Sequence, residues 1–183
     1  MLTQENWTRS YFSKDNKYGT DMHKDDFFVK TQIESDLNRV ITLMDSGIFT
    51  TESLQVFRES VFTEVMIKLH DLLQKLNKLS QRIVFTDDIE GGDDITDLVS
   101  KVRNAVCHMD SGEHLLDKER RIKFTFSIAY GRGCLVAIGN KKTTSDYADD
   151  ICFFFGENKI YLKRHIVRCV KEISRMTRVL YGK

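Results

Sequence analysis

Proline is absent from all 183 residues, so the chain lacks the residue that most effectively ends or kinks a helix. Long uninterrupted helices are therefore favoured. Long apolar runs are lacking too, since no segment approaches the ~20 residues that a membrane-spanning helix needs. The first residues also lack the basic and then apolar layout of a secretion signal. Together these absences predict a helical, cytoplasmic protein without a membrane partner.

Paired cysteines and a large excess of one charge are lacking as well. The 28 Lys and Arg residues nearly balance 27 acids, so any nucleic-acid surface must come from local segregation of charge. The chain has no Gly-rich phosphate loop, no GxSxG and no HExxH string. We expect no metal and no cofactor, because no CxxC spacing relates the four cysteines, which are Cys107, Cys134, Cys152 and Cys169.

Apolar residues recur at steps of three and four in several segments, which is the spacing of an amphipathic helix. A threonine near Thr51 is expected to cap the second helix, and Asp94 with Asp97 resembles a capping box before the third. The first two helices, joined by a short loop, should pack antiparallel. Residues 1–25 are predicted to form an N-terminal arm and residues 26–183 a single domain. The predicted helices are residues 27–44, 54–83, 95–109 and 161–181.

Between the third and the last helix the apolar period changes from helical spacing to two. Residues 122–130 alternate between apolar and polar side chains, which predicts a first strand. Further strands are predicted at 135–138, 151–155 and 159–162, with a polar loop over 140–150. The expected fold is therefore mostly α: a bundle of about four helices with a small antiparallel β-meander, about residues 121–162, inserted before the last helix.

The string Arg103-Asn104-Ala105-Val106-Cys107-His108 places an arginine and a histidine near the end of the third helix. Together they can cut RNA without metal, because one holds the charge of a phosphate and the other moves a proton. Five residues turn a helix about 140° past a full turn, so helical spacing alone does not bring Arg103 beside His108. The competing interpretation is a surface Arg and a half-buried His that close a helix where its dipole favours cations.

The last helix carries a stripe of cations at steps of four, three, four and three. Glu172 is the single acid among residues 159–183, against eight Lys and Arg residues. A stripe of one sign predicts an anionic partner, and contacts to RNA phosphates would give affinity without sequence choice. The alternative is a solvated helix face. The stripe consists of Arg164, Arg168, Lys171, Arg175 and Arg178.

This arrangement resembles the HEPN superfamily of small helical ribonucleases, which carry an R-x4–6-H motif late in the third helix, often with a polar residue after the Arg. The likeness covers about residues 27–109 and 161–181, and the meander looks like a family-specific insertion. The resemblance implies a metal-independent endoribonuclease that cleaves single-stranded RNA by attack of the 2′-OH. His108 would transfer the proton, Arg103 would clamp the phosphate, and Asn104 would orient His108 or the substrate.

The resemblance also implies a homodimer in which two motifs form one cleft, with a helix-two acid, Asp71 or Glu64, supporting the Arg. It implies a toxin or phage-defence role, with a neutralising antitoxin or a sensor protein as partner. Two alternatives stay open. The chain would otherwise be a non-catalytic HEPN-type module for dimerisation or nucleotide binding, or a protein-interaction domain whose meander adds a strand to a partner's sheet.

Overall fold

The computed structural model describes residues 24–108, 110, 112–117, 122–139 and 141–182. The predicted arm lies outside these residues, except for 24 and 25, which belong to the first helix. About four helices were expected, and this expectation is confirmed within the described part of the chain. No helix there is both long enough and apolar enough to span a membrane. The helices are α1 (Lys24–Asp45), α2 (Gln55–Lys78), α3 (Ile95–Cys107) and α4 (Arg168–Tyr181).

Helix α2 differs from its prediction at both ends. It begins after Leu54, which has an extended backbone and no side-chain cap, so the predicted threonine cap is wrong. It ends at Lys78 because Ser80 adopts a left-handed backbone with φ of 58°. Ile83, predicted to continue the helix, lies beyond this break but is still buried. Leu54 and Phe57 lie at the start of the predicted helix, where the apolar spacing predicts burial, but they are 65% and 55% exposed.

The two predicted features that fix the arrangement of the helices are confirmed. Asp36 on α1 binds Lys75 on α2. Arg39, which follows Asp36 along α1, binds Glu64, which precedes Lys75 along α2. The two helices therefore run antiparallel. At the start of α3 the Asp94 carboxylate accepts a hydrogen bond from the Asp97 backbone N–H at 3.0 Å. This cap satisfies one of the donors that a helix start leaves free.

Seven strands, all paired antiparallel, lie between α3 and α4 in the described residues. They form a two-stranded β1–β2 ribbon, a three-stranded sheet in the order β3-β6-β7, and a β4–β5 hairpin. We call this region, residues 115–161, the strand insert. Its strands are β1 (Leu115–Asp117), β2 (Ile122–Lys123), β3 (Ser127–Tyr130), β4 (Gly133–Ile138), β5 (Lys141–Ser145), β6 (Ile151–Phe155) and β7 (Asn158–Tyr161).

The strand insert differs from the predicted meander in four respects. It begins at Leu115 rather than near residue 121. Residues 124–126 interrupt the alternating segment that was predicted to be one strand. The predicted polar loop contains β5, which pairs with β4 through its backbone although its sequence, KKTTS, has no apolar alternation. Because β3 pairs with β6, across the β4–β5 hairpin, the strands are not joined in simple sequence order.

Strands β6 and β7 of the three-stranded sheet lie between the helices and the rest of the strand insert. On one face Phe153 and Phe155 join the helical core. The centroid of the Phe153 ring lies 4.4 Å from the centroid of the Phe62 ring on α2. Burying one such side chain contributes about 1.5–3 kcal/mol. The other face buries Cys152 with Tyr161 under part of the strand insert. Burial raises the pKa of the Cys152 thiol to about 12, so this thiol is not a nucleophile at neutral pH.

The predicted last helix is divided into two parts. Leu162–Val167 form wider, π-helical turns, and α4 follows directly. The fully buried Asp150 carboxylate fixes these turns, since it accepts hydrogen bonds from the backbone N–H groups of Lys163 and Arg164 at 2.9 and 3.1 Å. Arg164 therefore belongs to the junction with the strand insert rather than to the regular helix.

Candidate active site

Arg103 and His108 come together at the C-terminal end of α3. The Nη1 atom of Arg103 lies 3.1 Å from Nε2 of His108. The helix ends at Cys107, and His108 already has an extended backbone, with φ of −126° and ψ of 101°. Its N–H still donates to the Asn104 carbonyl at 3.0 Å, so the chain leaves the helix within this one residue. The separation expected for a continuous helix no longer applies, and the imidazole turns back to the guanidinium.

The hydrogen-bond roles define the protonation of His108 in this contact. A guanidinium has only donors, so Nε2 of His108 must accept and carries a lone pair. This contact requires the tautomer of His108 that carries its proton on Nδ1. Both His108 and Asn104 are exposed, whereas Arg103 is half-buried. The site therefore places an imidazole and a guanidinium side by side at the surface, with the Nε2 atom of His108 directed at Arg103.

Arg103 is held by its neighbours through one end of its guanidinium. Nη1 also donates to Oδ1 of Asn104, at 3.3 Å. Nε is buried and has no hydrogen-bond partner among the described residues. Asn104, predicted to orient His108 or the substrate, contacts Arg103 through its side-chain oxygen.

The predicted supporting acids have other partners. Glu64 accepts from Nε of Arg39 on α1 at 2.7 Å, and this hydrogen bond lowers the pKa of Glu64. In this structure Glu64 is therefore paired with Arg39 rather than with Arg103. An oxygen of Asp71 lies 3.6 Å from Nδ1 of the adjacent His70. In the part of the chain that the structure describes, neither acid contacts Arg103.

A second histidine at the site was not predicted. His114 lies in a 3-10 turn, Gly112–His114, and is buried. Its Nε2 is 3.1 Å from the carbonyl oxygen of His108. Because a carbonyl only accepts, this nitrogen donates. No periodic pattern relates residues 108 and 114, so spacing in the sequence could not have indicated the contact.

The predicted cationic stripe is partly neutralised within the chain. The Arg164 guanidinium binds the buried Asp150 and stacks on the Tyr147 ring at 3.6 Å. Arg168 binds Asp87 at 2.9 Å. These contacts join the stripe to the strand insert and to the acidic connection before α3.

The other three cations of the stripe lie on α4. Arg175 pairs with Glu172 at 3.0 Å, and both side chains are partly exposed. Lys171 and Arg178 are exposed and have no acidic partner among the described residues. They are seven residues apart and therefore share a helix face. The predicted five-residue stripe thus contains two cations that are not already neutralised.

Comparison with protein-family models, with curated proteins and with solved structures finds no match to this chain. The HEPN relationship therefore remains a prediction. The contact between Arg103 and His108 is independent of any relative, and it places a titratable imidazole beside a cationic guanidinium.

Proposed function

We propose that this chain is a metal-independent endoribonuclease of the HEPN type that cleaves single-stranded RNA. The observation that supports the proposal is the 3.1 Å distance between Nη1 of Arg103 and Nε2 of His108 at an exposed helix end. A base and a cation at this separation can act on one reacting phosphodiester, the base on the 2′-OH and the cation on the phosphate oxygens. Charge on the phosphate is then stabilised by the guanidinium rather than by a metal.

In the proposed reaction the 2′-oxygen attacks phosphorus and His108 takes its proton. The bond from phosphorus to the 5′-oxygen breaks, leaving a 2′,3′-cyclic phosphate and a 5′-OH. In the unbound site the lone pair of His108 is occupied by Arg103. A phosphate that draws the guanidinium toward itself frees this lone pair, so substrate binding activates the base. In-line attack favours single-stranded RNA, because stacked A-form geometry resists it.

The departing 5′-oxygen also needs a proton, which requires an acid as well as a base. His114 is buried and donates to a backbone carbonyl, so it does not fill this role. We therefore propose a homodimer in which a second His108, released from its own Arg103 and protonated when RNA binds, supplies the acid in a shared cleft. A nuclease acting on cellular RNA would arrest growth, which suits a toxin or phage-defence role with an antitoxin or a sensor protein as partner.

The proposal is tested by incubating the purified chain with total RNA in EDTA. Removing the imidazole in His108→Ala, or the guanidinium in Arg103→Ala, should lower cleavage by about 10²–10⁴-fold. Matched controls are His70→Ala and Arg39→Ala, which remove the same groups elsewhere and should keep activity. Circular dichroism should be unchanged in all four variants. Persistent cleavage by His108→Ala, or a requirement for a divalent metal, would contradict the mechanism.

The same assay tests the assembly when the protein is diluted. Activity per chain should fall as the dimer dissociates, and light scattering should show the dimer at the higher concentrations. A monomer that is fully active at every dilution would exclude a cleft built from two copies of His108.

One observation favours the non-catalytic alternative, a module for protein interaction. Three apolar side chains near the start of α2 are between 55% and 65% exposed, namely Leu54, Val56 and Phe57. Contiguous exposed apolar groups often mark a binding surface. A wild-type chain that never cleaves RNA, together with self-association that is lost in Val56→Glu, would support this second function instead.

A further inference from the structure

The carbonyl group of His108 is held by a side chain that the proposed chemistry does not use. His108 is the first residue beyond α3, so its carbonyl has no partner within the helix. Nε2 of His114 donates to this carbonyl at 3.1 Å. The His114 side chain is only 8% exposed, so this donor is screened from water. The backbone that carries the proposed base is therefore fixed by a buried hydrogen bond.

His114 is itself fixed by the strand insert. The backbone N–H of Phe124 donates to the His114 carbonyl at 2.8 Å, and the N–H of Gly156 donates to the Phe124 carbonyl at 2.7 Å. Asn158, at the start of β7, donates through Nδ2 to the Glu113 carboxylate at 2.9 Å. These bonds form a continuous chain from the β6–β7 turn to the 3-10 turn that carries His114.

The two turns also touch directly, backbone against backbone. Gly156 has a φ of +57°, and a Cβ atom there would overlap the Glu113 carbonyl oxygen and lie 2.8 Å from the His114 carbonyl carbon. The Phe155 ring stands edge-on to the His114 imidazole, with centroids 6.5 Å apart. A contact that excludes even a methyl group leaves the His114 turn little freedom to move.

We infer that His114 is a positioning residue, through which the strand insert sets the position of the His108 imidazole beside Arg103. This inference rests on the proposed function, since it assigns His114 a role in that reaction. It gives the strand insert a part in building the active site. His114 acts through the His108 backbone and does not touch the reacting atoms.

The test compares two substitutions of His114. His114→Leu removes the donor, whereas His114→Gln keeps an N–H donor at similar reach. An imidazole misplaced by about 1 Å costs on the order of 10²-fold in rate. We therefore expect His114→Leu to lower kcat about 10–100-fold with little change in KM, and His114→Gln to recover most of the loss. His165→Leu is the control, because it removes another buried histidine that is remote in sequence from this chain of bonds. With the fold verified by circular dichroism, it should keep the wild-type kcat.

A second readout does not depend on cleavage. In the RNA-free protein, nitrogen-15 NMR of the His108 ring should report the form with the proton on Nδ1 in the wild type and in His114→Gln. In His114→Leu it should report a mixture of tautomers, because the contact with Arg103 is loosened. Wild-type kcat and ring shifts in His114→Leu, or equal losses in the two variants, would overturn the inference. A wild type that cleaves no RNA would refute the proposed function, and the ring shifts would still decide the position of His108.

Discussion

The helical bundle and the strand insert are stabilised by different interactions. In the bundle, fully buried apolar side chains such as Leu72 and Val99 fill the core, and the ion pair between Arg39 and Glu64 lies at the surface. In the strand insert, charged groups lie inside, and Asp150 has no exposed side-chain surface. The surface pair of Arg39 and Glu64 should therefore tolerate a change of charge, whereas the buried Asp150 should not.

Lys159 and Tyr161 show how the strand insert keeps polar groups buried. Burial opposes the charge on Lys159, but its hydrogen bonds with Asp146 and Glu90 outweigh this effect and raise the pKa of its ammonium group. Burial also raises the pKa of the Tyr161 hydroxyl, which stays protonated and donates to Asp146 at 3.0 Å. A buried polar group without such a partner costs free energy, so each member of this network depends on the others.

The largest expected effect comes from Gly156 in the strand insert, compared with Gly47 in the bundle. Both have positive φ, but a Cβ at Gly47 meets no atom within 4 Å, whereas one at Gly156 overlaps backbone. We expect Gly47→Ala to cost about 1–2 kcal/mol of unfolding free energy from its left-handed backbone alone. Gly156→Ala should cost about 3–5 kcal/mol, because overpacking is added. Urea denaturation measures the unfolding free energy of both variants. Equal losses in the two variants would show that the backbone contact at Gly156 adds nothing to the cost of its left-handed conformation.

This difference between the regions also decides how much of the fold could be predicted from sequence. Apolar packing in the bundle leaves a helical period, so the prediction for α1, residues 27–44, comes close to the observed Lys24–Asp45. The strand β5 is held by backbone pairing with β4 and carries polar side chains, so it leaves no such period. The pairing of β3 with β6, across a hairpin, is a long-range choice that no local pattern encodes.

Arg103 and His108 of the candidate site were predictable from the sequence, but the contact between them and the support from His114 were not. The sequence indicated Arg103 and His108, while regular helical spacing placed them apart. They meet because α3 ends at Cys107, two residues before the predicted end. The support from His114 depends on the contact between its turn and the β6–β7 turn, which exists only in the folded chain.

A smaller effect is expected from removing one charge in each region. Asp150→Asn leaves one oxygen to serve several donors: the backbone N–H groups of Ile151, Lys163 and Arg164, and the Arg164 guanidinium. We expect a loss of about 2–3 kcal/mol, since buried hydrogen bonds to charged groups are left unmade. Glu64→Gln is the control, and its partly exposed pair with Arg39 should contribute less than about 1 kcal/mol.

Thermal and urea unfolding of the two variants provide the measurement. If Asp150→Asn is as stable as Glu64→Gln, the buried Asp150 carboxylate does not stabilise the turns that precede α4. The π-helical turns of Leu162–Val167 would then need another cause.

The smallest effect is expected on RNA affinity. The experiment compares two kinds of cation in the stripe, those paired with an acid and those without an acidic partner among the described residues. Reversing Lys171 and Arg178 to Glu should weaken RNA binding at every sequence and flatten its salt dependence, because two phosphate contacts are lost. Each contact with a single strand contributes about 0.7 to the slope of log K against log salt, so we expect a change of about 1.4. The control is reversal of Arg168 and Arg175, whose charges are partly neutralised by Asp87 and Glu172, and a smaller change is expected. Binding is measured by fluorescence anisotropy with 2′-O-methyl RNA, which lacks the nucleophile and cannot be cleaved.

Cleavage at saturating RNA should be unchanged in both double variants, since Arg103 and His108 are intact. Equal affinity and equal salt slope in the wild type and in the reversal of Lys171 and Arg178 would show that this face of α4 does not bind RNA, and would favour an acidic protein partner there.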